Sequence, residues 1–139
     1  MSISKERLLR SHIKNLVAVA NIDGIFHRNE LKFLYSLSEN YGLTPDDIDK
    51  IIEEIDNVNP TVPEDDKTKT FQLIDLVKMM RADNVMRREE MLFCKSVCKS
   101  FGYFEELIDK IIERLDDNQI EGPYFEELMD EANSFKIDD

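Results

Sequence analysis

Leu16-Val-Ala-Val-Ala-Asn-Ile-Asp-Gly-Ile-Phe-His-Arg-Asn-Glu30 lies without a gap over Leu76-Val-Lys-Met-Met-Arg-Ala-Asp-Asn-Val-Met-Arg-Arg-Glu-Glu90, every pair sixty positions apart. Leu16, Val17, Asp23, Arg28 and Glu30 recur as Leu76, Val77, Asp83, Arg88 and Glu90. The same shift carries Phe33 onto Phe93, Ser36 onto Ser96 and Gly42 onto Gly102. It carries Ile48-Asp-Lys-Ile-Ile-Glu53 onto Ile108-Asp-Lys-Ile-Ile-Glu113, and Pro63 onto Pro123. Chance does not produce a gapless match of this length with identities at the turns. The chain is a tandem duplication, and two copies of this length are too few and too long for a solenoid. Two such copies are expected to pack their apolar faces together about a pseudo-two-fold axis.

Within each copy the apolar period is that of a helix. Leu8, Leu9, Ile13, Leu16, Val17 and Ala20 line one face of a first helix, and Leu31, Leu34, Leu37 and Tyr41 line a second that Gly42 closes. Thr44-Pro-Asp-Asp47 opens a third, with Thr44 as N-cap, Pro45 in the first turn and Asp47 as the capping partner. Ile48, Ile51, Ile52 and Ile55 form its buried stripe. The second copy predicts helices near 63–82, 88–101 and 104–117, and Pro123 opens a final helix over about 123–134. The expectation is therefore an all-α domain spanning 1–139. It comprises about seven helices, from repeat units at about 8–57 and 63–117 plus a C-terminal helix. The tail from Ile137 is expected to fray.

The corner between the first two helices of each unit carries the most suggestive chemistry. A carboxylate at a helix C-terminus faces partial negative charge, at a cost of roughly 0.3–1 kcal/mol. Asp23 and its copy Asp83 stand where that cost applies. Glu30 and Glu90 fall on the third residue of the following helix, where a carboxylate reaches back to the cap amide behind His27 or Arg87. The alternative is a hard divalent cation, calcium or magnesium, held by oxygen ligands from Asp23 and Glu30, and more weakly by Asp83 and Glu90. In the second corner Gly24 becomes Asn84, and Arg81, Arg87 and Arg88 stand close enough in sequence to replace a metal by ion pairs. An EF-hand register closing on Glu30 puts Val19 and Asn21 where the leading ligands belong, which argues against ordinary EF-hand binding.

The 139 residues suffice for one domain with a real core. Eighteen basic against thirty acidic residues give a net charge of −12, which repels nucleic acid and anionic lipid and attracts cations and basic proteins. Most of these carboxylates read as a solvated surface. Cys94 and Cys98 share a helix face one turn apart, in a geometry that disfavours a disulfide. With only His12 and His27 available, a zinc site lacks ligands, and both cysteines read as reduced core residues. No signal peptide or membrane-length apolar run is present, so a cytoplasmic location with no membrane insertion is expected.

Ala20-Asn-Ile-Asp-Gly-Ile-Phe-His-Arg-Asn-Glu-Leu31, followed by Leu34, Leu37, Tyr41-Gly-Leu43 and an acidic third helix, resembles the TerB-like family. That family includes tellurite-resistance proteins and the N-terminal domain of certain membrane-anchored J-domain co-chaperones. The resemblance covers roughly 8 to 117. Its hallmark Ala-Asp-Gly with a later Glu maps onto Asp23-Gly24 with Glu30, and onto Asp83-Asn84 with Glu90. His27 stands where an acidic residue is often found, and the second glycine is lost. The resemblance implies an internally duplicated helical domain, a divalent metal at clustered acids, and protein partners in stress-response complexes. No nucleophile–base pair, phosphate-cradling loop or His cluster marks an enzyme. The reading is a non-catalytic module binding a cation, protein partners or both. An irregular EF-hand-like calcium sensor and a ligand-free interaction domain stand as alternatives.

Overall fold

Seven helices fill the described part of the chain: α1 (Lys5–Ala20), α2 (Arg28–Glu39), α3 (Pro45–Glu53), α4 (Asp66–Met80), α5 (Arg88–Ser100), α6 (Glu106–Asp116) and α7 (Pro123–Asn133). The computed structural model describes residues 5–22, 28–54, 56, 61–82 and 85–137. Among them there is no strand, only an isolated antiparallel bridge between Tyr103 and Lys136. The fold is all-α, as the repeat requires.

The duplication is visible in what each copy buries. Ile13 and Leu73, Leu16 and Leu76, Val19 and Met79, Leu34 and Cys94, and Ile48 and Ile108 are paired by the sixty-residue shift, and all are shut off from solvent. Turn chemistry repeats too. Gly42 and Gly102 follow α2 and α5 with φ of +78° and +96°, a region that penalises any Cβ. The predicted capping box is present at α3: Asp47 N–H donates to Thr44 Oγ1 at 3.2 Å, and Thr44 N–H donates to Asp47 Oδ2 at 2.9 Å.

Helix α4 is the centre of the structure. It touches α1 most extensively and also packs on α2, α5, α6 and α7. Every residue from Gln72 to Val77 is buried, so this helix is enclosed on several sides and shows little of the one-sided pattern of a surface helix. It begins at Asp66, three residues later than Pro63 suggests. The reason is Asp65, whose Oδ2 accepts the Thr68 N–H and the Thr68 hydroxyl, both at 2.9 Å, and so caps the helix there.

Of the tail expected to fray, Asp138 and Asp139 lie outside the described residues, and Ile137 is held. Ile137 N–H donates to the Gly102 carbonyl at 2.8 Å, Phe104 N–H donates to the Phe135 carbonyl at 2.6 Å, and Lys136 Nζ pairs with Asp66 at 2.8 Å. The chain through Ile137 is thus pinned to the α5–α6 corner and to the start of α4. Helix α6 starts at Glu106, two residues later than the repeat suggests. Arg114 of α6 fastens α7 through Glu127 and Glu131.

Candidate functional site: a polar cluster under an apolar groove

Of the four acids predicted at the helix corners, Asp23 and Asp83 lie outside the described residues, as do Gly24, His27 and Asn84. Glu30 and Glu90 are the third residues of α2 and α5, where the sequence puts them. Both are buried, at 1% and 2% exposure. Glu90 Oε1 receives a hydrogen bond from Arg87 Nη1 at 3.0 Å, the ion pair anticipated for the arginine-rich corner. Arg81 is engaged elsewhere, with Asp116 at 2.6 Å. Among the described residues no group of three or more His, Cys, Asp or Glu side chains is arranged to hold a metal ion.

Cys94 and Cys98 are free thiols in the core. Burial pushes both up to about 12, with the Glu90 charge adding for Cys94 and those of Glu105 and Glu106 for Cys98. They remain neutral thiols, in keeping with the packing role read from the sequence.

A different site stands between the units. A groove of about 630 Å³ opens between α1, the end of α2, α4 and α7. The volume falls within the range of ordinary ligand pockets. Helix α1 contributes Lys5, Leu8, Leu9 and His12. Thr68, Phe71, Gln72, Asp75 and Lys78 follow at three- and four-residue spacing along one face of α4, with Ile74 beside them. Leu37, Asn40 and Tyr41 close one side, and Ile120, Glu121 and Phe125 the other. Phe71 stacks on Phe125 at 4.2 Å between centroids and is still 43% exposed.

The groove contains a built polar cluster. His12, 1% exposed, places Nε2 2.8 Å from Asp75 Oδ2. The Tyr41 hydroxyl donates to the same oxygen, also at 2.8 Å. Tyr41 meets the His12 ring edge-on at 6.1 Å. Asp75 is itself only 6% exposed, so its carboxylate stays favourable because it accepts these bonds. Desolvation, followed by the charge and hydrogen bond of Asp75, pushes the Tyr41 phenol far above its ordinary value. That keeps the phenol a donor. With Nε2–H committed to Asp75, the neutral tautomer leaves Nδ1 as an acceptor, and that buried atom has no hydrogen-bond partner among the described residues.

In the sequence His12 stands out only as an insufficient zinc ligand and Tyr41 only as a stripe residue, and Asp75 belongs to no motif. A signal was present nonetheless. Asp75 interrupts the apolar run Leu73-Ile-Asp-Leu-Val77, and it carries a charge where the repeat has the neutral Asn15. The positions equivalent to His12, Tyr41 and Asp75 are Gln72, Phe101 and Asn15. None of these is ionisable. The duplicated fold is therefore built once with a titratable cluster and once without.

Comparison with protein-family models, with curated proteins and with solved structures gives no match to this chain.

Proposed function

We propose that this chain is a non-catalytic helical binding module, TerB-like in its repeat motif, that receives a segment of a protein partner in the groove between α1, α2, α4 and α7. One observation carries the reading. The groove combines exposed aromatic and half-buried aliphatic walls with a hydrogen-bonded polar cluster that the repeat fold does not need. Such a combination of apolar area with a few convergent polar groups is what binding sites present. Aromatic side chains left exposed at its rim, Phe71 and Tyr41, are of the types that dominate binding energy at interfaces.

Binding is favoured over catalysis by the nature of the lining. Both hydroxyls that line the groove are committed, that of Thr68 to Asp65 and that of Tyr41 to Asp75, and His12 Nδ1 is buried away from solvent. Free, buried cysteines suit a reducing compartment such as the cytoplasm. Among the described residues no helix is long and apolar enough to cross a membrane. A stress-response assembly, as the resemblance implies, is the proposed setting.

Amide NMR tests the reading with an amphipathic peptide of about fifteen residues, near the length at which helices become self-supporting. Its apolar face is leucine and carries no charge. Shifts confined to Leu9, Tyr41, Phe71 and Phe125, lost in Phe71→Glu, are expected. Shifts elsewhere, or none at millimolar peptide, would rule the groove out.

A second reading has its own observation. Glu30 and Glu90 are buried in both copies at the same place, which is where a calcium or magnesium ion would draw on Asp23 and Asp83. Calorimetric titration with calcium, magnesium and manganese decides it, with Asp23→Asn expected to weaken binding sharply and Asp83→Asn to leave it nearly unchanged.

A further inference from the structure

Because His12 and Tyr41 both spend their donors on Asp75 Oδ2, the polar cluster offers the groove an acceptor. Asp75 Oδ1 carries neither bond and is the acceptor that the cluster leaves over. We propose that the groove recognises an amphipathic helix of a protein partner through one basic residue, an arginine or lysine set within its apolar face, whose head reaches Asp75. This rests on the proposed binding role of the groove and names the chemistry of its partner.

Three observations support a single basic anchor. First, Asp75 is a 94%-buried carboxylate whose cluster is absent from the other copy, so the charge is not explained by the repeat. A buried carboxylate is stabilised further when a cation supplies donors to its remaining lone pairs, and arginine does so in a fixed planar fork. Second, the whole chain carries −12, which draws a basic partner towards it at long range. Third, Lys5 and Lys78 stand in the walls of the same groove, as does Glu121. Those lysines repel a polybasic tract, so they select a lone cation among apolar neighbours. The walls themselves, Leu8, Leu9, Leu37 and Phe71, match an apolar helical stripe at three- and four-residue spacing.

The test uses two synthetic peptides of the leucine-faced design described above. One has arginine at the centre of its leucine face and the other has glutamine there, a third with glutamate serving as the sign control. Titration into the full chain, read by amide NMR and fluorescence anisotropy, should show the arginine peptide binding at least roughly tenfold more tightly than the glutamine peptide, the scale of a hydrogen bond to a charged group. The glutamate peptide should be the weakest. Asp75→Asn should erase the arginine preference. Tyr41→Phe, which installs the residue of the second copy and leaves the carboxylate in place, should keep it. Circular dichroism melts confirm that both variants fold, and if Asp75→Asn does not, the arginine-against-glutamate order on the wild type still decides. Equal binding of the arginine and glutamine peptides, with shifts in the groove, would overturn the basic anchor while leaving the groove standing. A glutamate preference would mean that Lys5 and Lys78 dominate, and would overturn it too. No shift from any peptide would remove the groove itself.

Discussion

Replacing Asp75 by alanine is the perturbation whose consequence can be worked most directly from the structure. Three effects follow. The His12 Nε2–H, in a ring 1% exposed, loses its acceptor, and leaving a buried donor unsatisfied costs about 1–3 kcal/mol. Tyr41 is 40% exposed, so its hydroxyl turns to water, and the lost bond is worth only about 0.5 kcal/mol, the low end of the usual range. Truncation also removes contacts, though the groove beside Asp75 admits solvent and limits any cavity cost. The sum is about 1.5–3.5 kcal/mol. For a domain of this size that corresponds to a fall in Tm of roughly 5–12 °C.

Urea unfolding followed at 222 nm should therefore show a lower midpoint with an unchanged slope, the sign that stability and not compactness has changed. Asp75→Asn should cost about 1 kcal/mol or less, because the amide oxygen still accepts from His12. The double variant His12→Gln with Asp75→Asn, which puts amides where the repeat has Gln72 and Asn15, should be less destabilised than Asp75→Ala alone. His12→Ala combined with Asp75→Ala should show a coupling of about 0.5–3 kcal/mol, as contacting residues do. If Asp75→Ala shifted stability by less than about 0.5 kcal/mol, or if asparagine were as costly as alanine, the hydrogen-bonded cluster would have no energetic reality.

Four further outcomes are expected. Cys94→Val, at a buried position paired by the repeat with Leu34, should cost less than about 1.5 kcal/mol, and loss of folding in a thermal melt would contradict the packing assignment. Because burial holds both thiols near 12, Cys94 and Cys98 should resist a thiol reagent at pH 8 and react only as fast as the chain opens; immediate stoichiometric labelling of the native protein would refute this. Asp65→Ala should remove the α4 cap and lower stability by about 1 kcal/mol in a chemical melt at pH 7. Asp47, Asp65 and Asp66 are all held below the usual carboxylate value, chiefly by hydrogen bonds from Thr44, from Thr68 and from Lys136 respectively. Their contribution is present above the unfolded value of about 3.9 and is lost as pH falls through the lowered folded values. Acid melts should thus weaken below about pH 4, less steeply in Asp65→Ala, and equal slopes would count against the cap's role.

The sequence made the helices legible because their signals are local and repeated. Gly42 and Gly102, the Thr44–Asp47 box and the isoleucine stripe over 48–52, whose last member Ile55 lies outside the described residues, each act within a turn or two, and each except the box recurs sixty residues on. Cys94 was readable as core because its equivalent, Leu34, sits on an apolar stripe. The polar cluster was not readable in this way. His12 meets Asp75 across 63 residues, and Tyr41 meets it across 34. Those distances are closed by the packing of α1 and α2 on α4, and no periodicity encodes them. Among thirty acidic residues, Asp75 has no local mark beyond its apolar neighbours. The tie of the tail is hidden for the same reason, since Phe104 meets Phe135 and Ile137 meets Gly102 across more than thirty residues, whereas the start of α4 is a choice between two local signals, Pro63 and the Asp65–Thr68 cap.

A duplicated chain carries its own control, and the control separates fold from function. Glu30 and Glu90 occupy equivalent positions and are equally buried, so whatever holds them serves the corner in both copies. The Arg87 contact shows that a protein side chain does this at least at Glu90. A requirement shared by both units is first a requirement of the fold. His12, Tyr41 and Asp75 behave oppositely. At equivalent places the same fold tolerates Gln72, Phe101 and Asn15, so stability alone does not demand an ionisable cluster. A buried carboxylate that the fold can do without persists at a cost in desolvation. The hydrogen bonds from His12 and Tyr41 offset that cost at Asp75 Oδ2, and a partner's cation would add donors at Oδ1. The groove is for that reason a better place than the corners to look for what distinguishes this protein's activity from its architecture.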